Sequence, residues 1–253
     1  MGLRRTVARV LEKISGAMII HPSEFHEVIE QKHLRRFFDH FDVDCVWDVG
    51  ANLGQYATHL RRGVGFKGPI ISFEPVPEIA EELKKFSASD PLWFVVPVAL
   101  DRESGPSTFN IMASNTFSSL HSPAGDQPGI FSGQNKVERQ ITVMRSTVAE
   151  EFPKWSKMLS FKRPFLKMDT QGNDLAVVEG SGSALQEFVG IQSELSIRKL
   201  YNDAPDFSES LKKYSEYGFD ISAFIPNTAG HFPLLVETDC ILFRRSLTSS
   251  GSV

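Results

Sequence analysis

Cysteine is scarce in this 253-residue chain, which has only Cys45 and Cys240. Both lie in apolar runs, where cysteine behaves as a small hydrophobe, and no paired spacing suggests a disulfide frame or a zinc site. A reducing, cytoplasmic setting is therefore expected. Long hydrophobic runs are missing too: no stretch approaches the roughly 20 apolar residues that cross a bilayer, and the first residues lack the apolar core and cleavage site of a signal peptide. There is no large excess of one charge, and a net charge of −4 gives no reason to expect the nucleic-acid phosphate backbone as a partner. The histidines other than His121 show no H-x-x-x-H or comparable ligand spacing. What is present is 41% hydrophobic residues, too many for a disordered chain, over a length that can bury one large α/β core.

The most informative stretch is Val43–Tyr56, VDCVWDVGANLGQY, which reads as a buried strand breaking into a glycine turn that opens a helix over Gln55–Arg62. Gly50 and Gly54 let backbone approach a ligand where a Cβ would collide. A dinucleotide fingerprint needs G-x-G-x-x-G and a phosphate loop needs G-x-x-x-x-G-K-[ST], whereas this turn is G-x-x-x-G with no lysine. Asp48 at the strand end would repel a pyrophosphate but could accept hydrogen bonds from a neutral or cationic ligand, which favours one carrying an amine and no phosphate. S-adenosylmethionine, with its ammonium and sulfonium, fits that description. The next apolar run, Pro69–Pro75, ends in Glu74, about twenty residues after the turn, the offset at which an acid binds ribose hydroxyls.

These residues belong to a set of blocks that resembles the FkbM-type S-adenosylmethionine-dependent methyltransferases. The blocks are DVGANLGQY (Asp48–Tyr56), FEPVP (Phe73–Pro77), VAL (Val98–Leu100), NTFSSL (Asn115–Leu120), FLKMDTQGNDLAVVEG (Phe165–Gly180), SELSIRKLY (Ser193–Tyr201) and the closing GFDISAF and DCILFRR. They occur in the family's order from about Val43 to Arg245. The resemblance implies a Rossmann-like, doubly wound α/β fold with a mostly parallel seven-stranded sheet and an antiparallel last strand. It also implies methyl transfer to a hydroxyl of a sugar, glycolipid, surface glycan or polyketide-type natural product. A non-catalytic cofactor-binding protein of the same fold and an NAD-dependent nucleotide-sugar enzyme are the alternatives, the second lacking its glycine fingerprint.

The alternation of apolar strands and helical patterns itself implies a mostly parallel sheet with helices on both faces. Residues 1–41 read as an N-terminal helical segment and 42–246 as the catalytic domain, with a flexible tail at 247–253. Within Met1–Ile14, apolar Leu3, Val7, Val10, Leu11 and Ile14 fall at helical spacing between Arg4, Arg5, Arg9 and Lys13. Such a helix packs on the domain or on a partner subunit of a homo-oligomer, or lies peripherally on an anionic membrane. Strands are expected at Val43–Val49, Ile70–Phe73, Trp93–Val98, Phe165–Met168, Ile191–Leu195, Phe219–Phe224 and Cys240–Arg244, the last two as an antiparallel hairpin. Between residues 101 and 162 the rhythm lapses. Strand-like Ser107–Met112 and Gln140–Arg145 flank a Ser-, Gly- and Pro-rich stretch, an insertion that is a candidate substrate lid.

Ligands bind beyond the carboxyl ends of such strands, where the strand order reverses. The cofactor set is then Asp48, Gly50, Asn52, Gly54, Glu74, Pro75, Val98, Ala99 and Asp169, with Val98 and Ala99 beside the adenine. Asp169, just past a buried strand, is the leading candidate for general base, metal ligand or contact to the cofactor amine. Lys167 is expected to pair with Asp169 or Glu194 as an orienting group. Glu194 would face the same crevice, and the two carboxylates form a candidate Mg²⁺ site. His121 is a further candidate base. Asn115, Ser118 and Ser119 supply short polar side chains for a hydroxyl-rich, small-molecule or glycan acceptor. Tyr201, aligned with a family tyrosine, would shape its pocket.

Overall fold

The computed structural model describes residues 25–227 and 233–248, so the amphipathic pattern at Met1–Ile14 and most of the tail lie outside the described residues. The chain winds its apolar runs into one seven-stranded sheet. Helix α1 (Phe25–Phe41) leads into β1 (Cys45–Val49), α2 (Gln55–His59), β2 (Ile70–Phe73), α3 (Pro77–Ser87) and β3 (Trp93–Val96). After the inserted β4 (Ala99–Leu100), β5 (Gly105–Met112) and β6 (Val137–Ser146) come α4 (Val148–Leu159), β7 (Pro164–Met168), α5 (Asp174–Glu179) and β8 (Gly190–Ser196). Helix α6 (Phe207–Glu216), β9 (Phe219–Asn227) and β10 (Glu237–Arg244) complete the order.

The sheet order is β3-β2-β1-β7-β8-β10-β9, with β10 antiparallel to both its neighbours and the remaining pairs parallel. It is doubly wound because the strand side chains alternate between two apolar layers. Cys45, Trp47 and Val49 of β1 join Val148, Leu175, Leu185 and Tyr214 on one face. Val46 joins Leu34, Phe37, Phe38 and Phe41 of α1 and Leu60 and Leu83 on the other. Within α1 those four residues recur at i, i+3, i+4 and i+7, the stripe by which a helix seats on a sheet. No described helix is long and apolar enough to cross a membrane.

Strand β10 begins three residues earlier than expected and β9 ends three residues later, and two further elements depart from the sequence expectation. Strand β3 ends at Val96, two residues early, because Pro97 has no N–H for the ladder. The chain then turns away, and Ala99–Leu100 pairs with β6 in a separate three-stranded sheet of order β4-β6-β5. Helix α4 was not expected, since Pro153 stands inside it. It forms because Thr147 caps the Glu150 N–H and because Val148, Phe152, Trp155 and Leu159 pack on the main sheet. The stretch foreign to the wound sheet is therefore residues 99–146, shorter at its end than the expected 101–162 insertion. It packs on Val76 and Ile79 through Phe109, Ile111 and Val143.

Candidate functional site

A polar row crosses one face of the sheet one residue below the carboxyl ends of β1, β2 and β7. Ser72, Asp48, Lys167 and Gln192 are register partners on β2, β1, β7 and β8. The fully buried Asp48 carboxylate accepts from Ser72 Oγ at 3.2 Å and from Lys167 Nζ at 3.2 Å, and the Trp93 indole donates to Ser72 at 2.9 Å. Burial alone would lower the Lys167 pKa, but the charges of Asp48 and Asp169 outweigh it and raise it. Tyr56 on α2 closes the row from above, its ring 5.0 Å from Lys167 Nζ and its hydroxyl donating to Gln192 at 2.9 Å. Asp48 is thus the buried counter-charge of Lys167 and does not reach the cavity above, which corrects its expected cofactor contact.

That cavity, about 1070 Å³, opens where the strand order reverses between β1 and β7. On its β2 side stands Glu74, whose two oxygens accept the backbone N–H groups of Asn52 and Val76, both at 2.9 Å. Burial pushes the Glu74 pKa up to about 7 against the opposing pull of those two bonds. Gly50, Asn52, Pro75 and Ala99 line the cavity as expected, and Leu100 joins them. Val98 does not: its side chain packs into the core below. The turn glycines also serve the protein more than the ligand. A Cβ on Gly50 would stand 2.0 Å from the Asp169 carbonyl oxygen, and one on Gly54 would enter the Trp93 ring and Leu83. Gly54 is accordingly packed against Trp93 and is not a lining residue.

On the other side, Asp169 and Glu194 both face the cavity, bridged by a residue the sequence reading did not single out. Gln171 donates from Nε2 to Asp169 Oδ1 at 2.8 Å and to Glu194 Oε2 at 3.0 Å. Its own Oε1 lies 2.7 Å from the Tyr201 hydroxyl, which is also 2.8 Å from the Phe117 carbonyl. Lys167 Nζ is 3.6 Å from Asp169, one of the two partners expected of it. Buried Asp174 fixes the frame: it accepts from the Thr170 N–H and hydroxyl and, through its other oxygen, from Ser193 Oγ and the Glu194 N–H. Beyond Glu194 the wall continues with Glu237 and Asp239 of β10, also missed because the last strand was expected to begin at Cys240. Burial, then the charges of Glu237, Asp169 and Asp239, raise the Glu194 pKa well above the carboxylate range.

The remaining candidates divide. Asn115 and Ser118 line the cavity beside Phe117 and Leu120. Ser119 is buried behind them, donating to the Gln171 carbonyl at 2.7 Å, and Tyr201 is buried as well, so both support Gln171 and do not shape the pocket wall. His121 faces Asn173 Oδ1 at 3.2 Å, outside the lining, with its pKa lowered by burial. The expected Mg²⁺ pair is joined by an amide donor, and among the described residues no three His, Cys, Asp or Glu side chains are grouped to hold a metal ion.

The sequence matches the family described as "Methyltransferase FkbM domain" over residues 48–221. No curated protein matches it. Similar solved structures include the FkbM methyltransferase of Methylobacillus flagellatus KT, at 14% identity over 80% of this chain and 44% of that one, with a TM-score of 0.45. Magnesium protoporphyrin IX methyltransferase from Synechocystis PCC 6803 with bound cofactor is similar at 7% identity over 95% and 96%, with a TM-score of 0.47. Aeropyrum pernix fibrillarin with natively bound S-adenosyl-L-methionine is similar at 11% identity over 79% and 66%, with a TM-score of 0.44. The chain thus spans just under two thirds of the fibrillarin and less than half of the Methylobacillus protein.

Proposed function

The chain belongs to the FkbM methyltransferase family, and from that premise we propose that it moves a methyl group from S-adenosylmethionine to a hydroxyl of a sugar, glycolipid, surface glycan or polyketide-type product. One observation carries the reading: a single cavity joins Glu74 at the end of β2 to Asp169 and Glu194 at the ends of β7 and β8. Each Glu74 oxygen already accepts one N–H and keeps acceptor capacity for a ribose diol. A lysine-free turn under an acid-rich wall suits a sulfonium and an ammonium and disfavours a pyrophosphate.

When bound, the cofactor supplies a methyl group already activated for displacement, so the chain mainly aligns the acceptor and manages its proton. Alignment of reactants is worth about 7–11 kcal/mol and a positioned base about 10²–10⁴-fold. Gln171 holds Asp169 and Glu194 at a fixed spacing. Asp169, which lines the cavity just past β7, is placed to take the acceptor's proton, whereas burial and neighbouring acids raise the Glu194 pKa and favour its protonated form. Asn115 and Ser118 offer the acceptor short polar side chains from the inserted region, whose wall over the cavity supports a lid role. The test is calorimetric: S-adenosylmethionine should bind and NAD should not. Asp169→Ala should abolish transfer of a labelled methyl group while leaving the fold. NAD-only binding would overturn the reading, and normal turnover of the variant would refute the role of Asp169.

A further inference from the structure

Strands β8 and β10 place Asp239 directly opposite Glu194 and Glu237 opposite Ser196. Opposed residues of an antiparallel pair share a face, as do residues two apart on one strand, so the three carboxylates converge on one wall of the cavity. Like charges directly opposite in a sheet are destabilising, and a local conflict of this kind is characteristic of a functional site.

The conflict has no internal resolution among the described residues. Glu237 is nine-tenths buried, with 9% exposure, and no described hydrogen bond or ion pair reaches its carboxylate or that of Asp239. Glu194 has only the Gln171 amide. Lys167, the neighbouring cation, is engaged by Asp48 and Asp169. Burial, then the charges of Asp169 and Asp174, push the Glu237 pKa up to about 8. Burial, then the charges of Glu30 and Asp169, raise that of Asp239 well above its ordinary value against the opposing pull of Lys167.

Resting on the methyltransferase reading above, we propose that the acceptor carries a cationic amino group, seated as an ammonium among Glu194, Glu237 and Asp239. The position separates it from the cofactor. Glu74 and the Gly50 turn lie on β2 and β1, whereas β10 is three strands beyond β1, about 14 Å at the usual strand spacing. An organic cation fits better than a metal ion, since among the described residues no such group of ligands is arranged for one. Held by carboxylates, the amine keeps its proton and has no lone pair to offer, so the methyl goes to a hydroxyl of the same molecule.

The test uses the full chain at pH 7 loaded with S-adenosylhomocysteine, titrated by calorimetry with glucosamine and with its neutral counterpart N-acetylglucosamine. Glucosamine should bind at least tenfold more tightly and release protons from the carboxylates, read as a buffer-dependent heat. Glu237→Gln should fold, having lost an unpaired buried acid, and should weaken glucosamine at least tenfold while leaving the homocysteine cofactor product within twofold. Equal affinity for the two sugars, binding of neither, or an unaffected variant would overturn the proposal. So would Mg²⁺ binding that Glu237→Gln abolishes, which would make the cluster a metal site. Failure of S-adenosylhomocysteine itself to bind would instead sink the methyltransferase reading, because the sugar comparison is read separately.

Discussion

Replacing Glu74 with glutamine sets two effects of similar size against each other, and pH decides which prevails. The buried carboxyl titrates at about 7 against an ordinary value of 4.5, and at about 1.36 kcal/mol per unit the charged form destabilises the fold by about 3 kcal/mol. The sign follows from the direction: the folded pKa is the higher one, so the penalty is absent below pH 4.5, grows as pH rises towards 7, and is full above it. The amide removes that penalty. It cannot, however, accept both the Asn52 and Val76 N–H groups, and one buried donor left facing an NH₂ costs about 1–3 kcal/mol at every pH. Glu74→Gln should therefore be less stable than the parent at pH 5 and equal to it or more stable at pH 8, a relative shift of about 2–3 kcal/mol. Urea unfolding of both proteins across that range measures it. Curves offset by a constant at all pH values would refute the argument that Glu74 is buried against its charge. Binding of S-adenosylmethionine should weaken in the variant throughout.

Lys167→Met leaves Asp48 fully buried without its counter-charge and should cost about 3–5 kcal/mol in thermal or urea unfolding. Adding Asp48→Asn should recover most of that loss, and a double variant no better than the single would show that the two do not act as a pair. Gly50→Ala forces a side chain to φ +78° and to 2.0 Å from a backbone oxygen. The conformation alone costs about 1–2 kcal/mol, so an unchanged melting temperature would contradict the close approach of β1 to the Asp169 loop. Turnover of a labelled methyl group should be indifferent to EDTA, because the Gln171 amide bridges Asp169 and Glu194; inhibition reversed by Mg²⁺ would restore the metal site.

The strand, turn and helix at Cys45–His59 and the strand Ile70–Phe73 were legible because apolar runs bounded by glycine and proline have few alternatives. Glu74 was legible for the same reason: an acid at a strand end can be placed once the strand is. Helix α4 was hidden by Pro153, although Thr147 with Glu150 and the spacing of Val148, Phe152, Trp155 and Leu159 signalled it. Gln171 carries no such mark. Its importance comes from Tyr201 and Glu194, 30 and 23 residues away, meeting its amide. Asp48 was misjudged because a strand-end acid looks the same in sequence whether it faces a ligand or a lysine two strands' side chains share. Glu237 and Asp239 left a trace that was readable, two acids at alternate positions entering an apolar strand, but only once that strand's start was known.

Strand β10 comes later in the chain than both strands it separates. During synthesis β8 and β9 must therefore wait beside an open slot, with β8 a bare edge able to pair with any extended chain nearby. The strand that closes that edge brings Glu237 and Asp239 with it, so nascent or clipped molecules lacking it would be both prone to aggregate and deprived of two of the three clustered acids. Closure of the sheet edge and completion of the acid-lined cavity wall are thus one event.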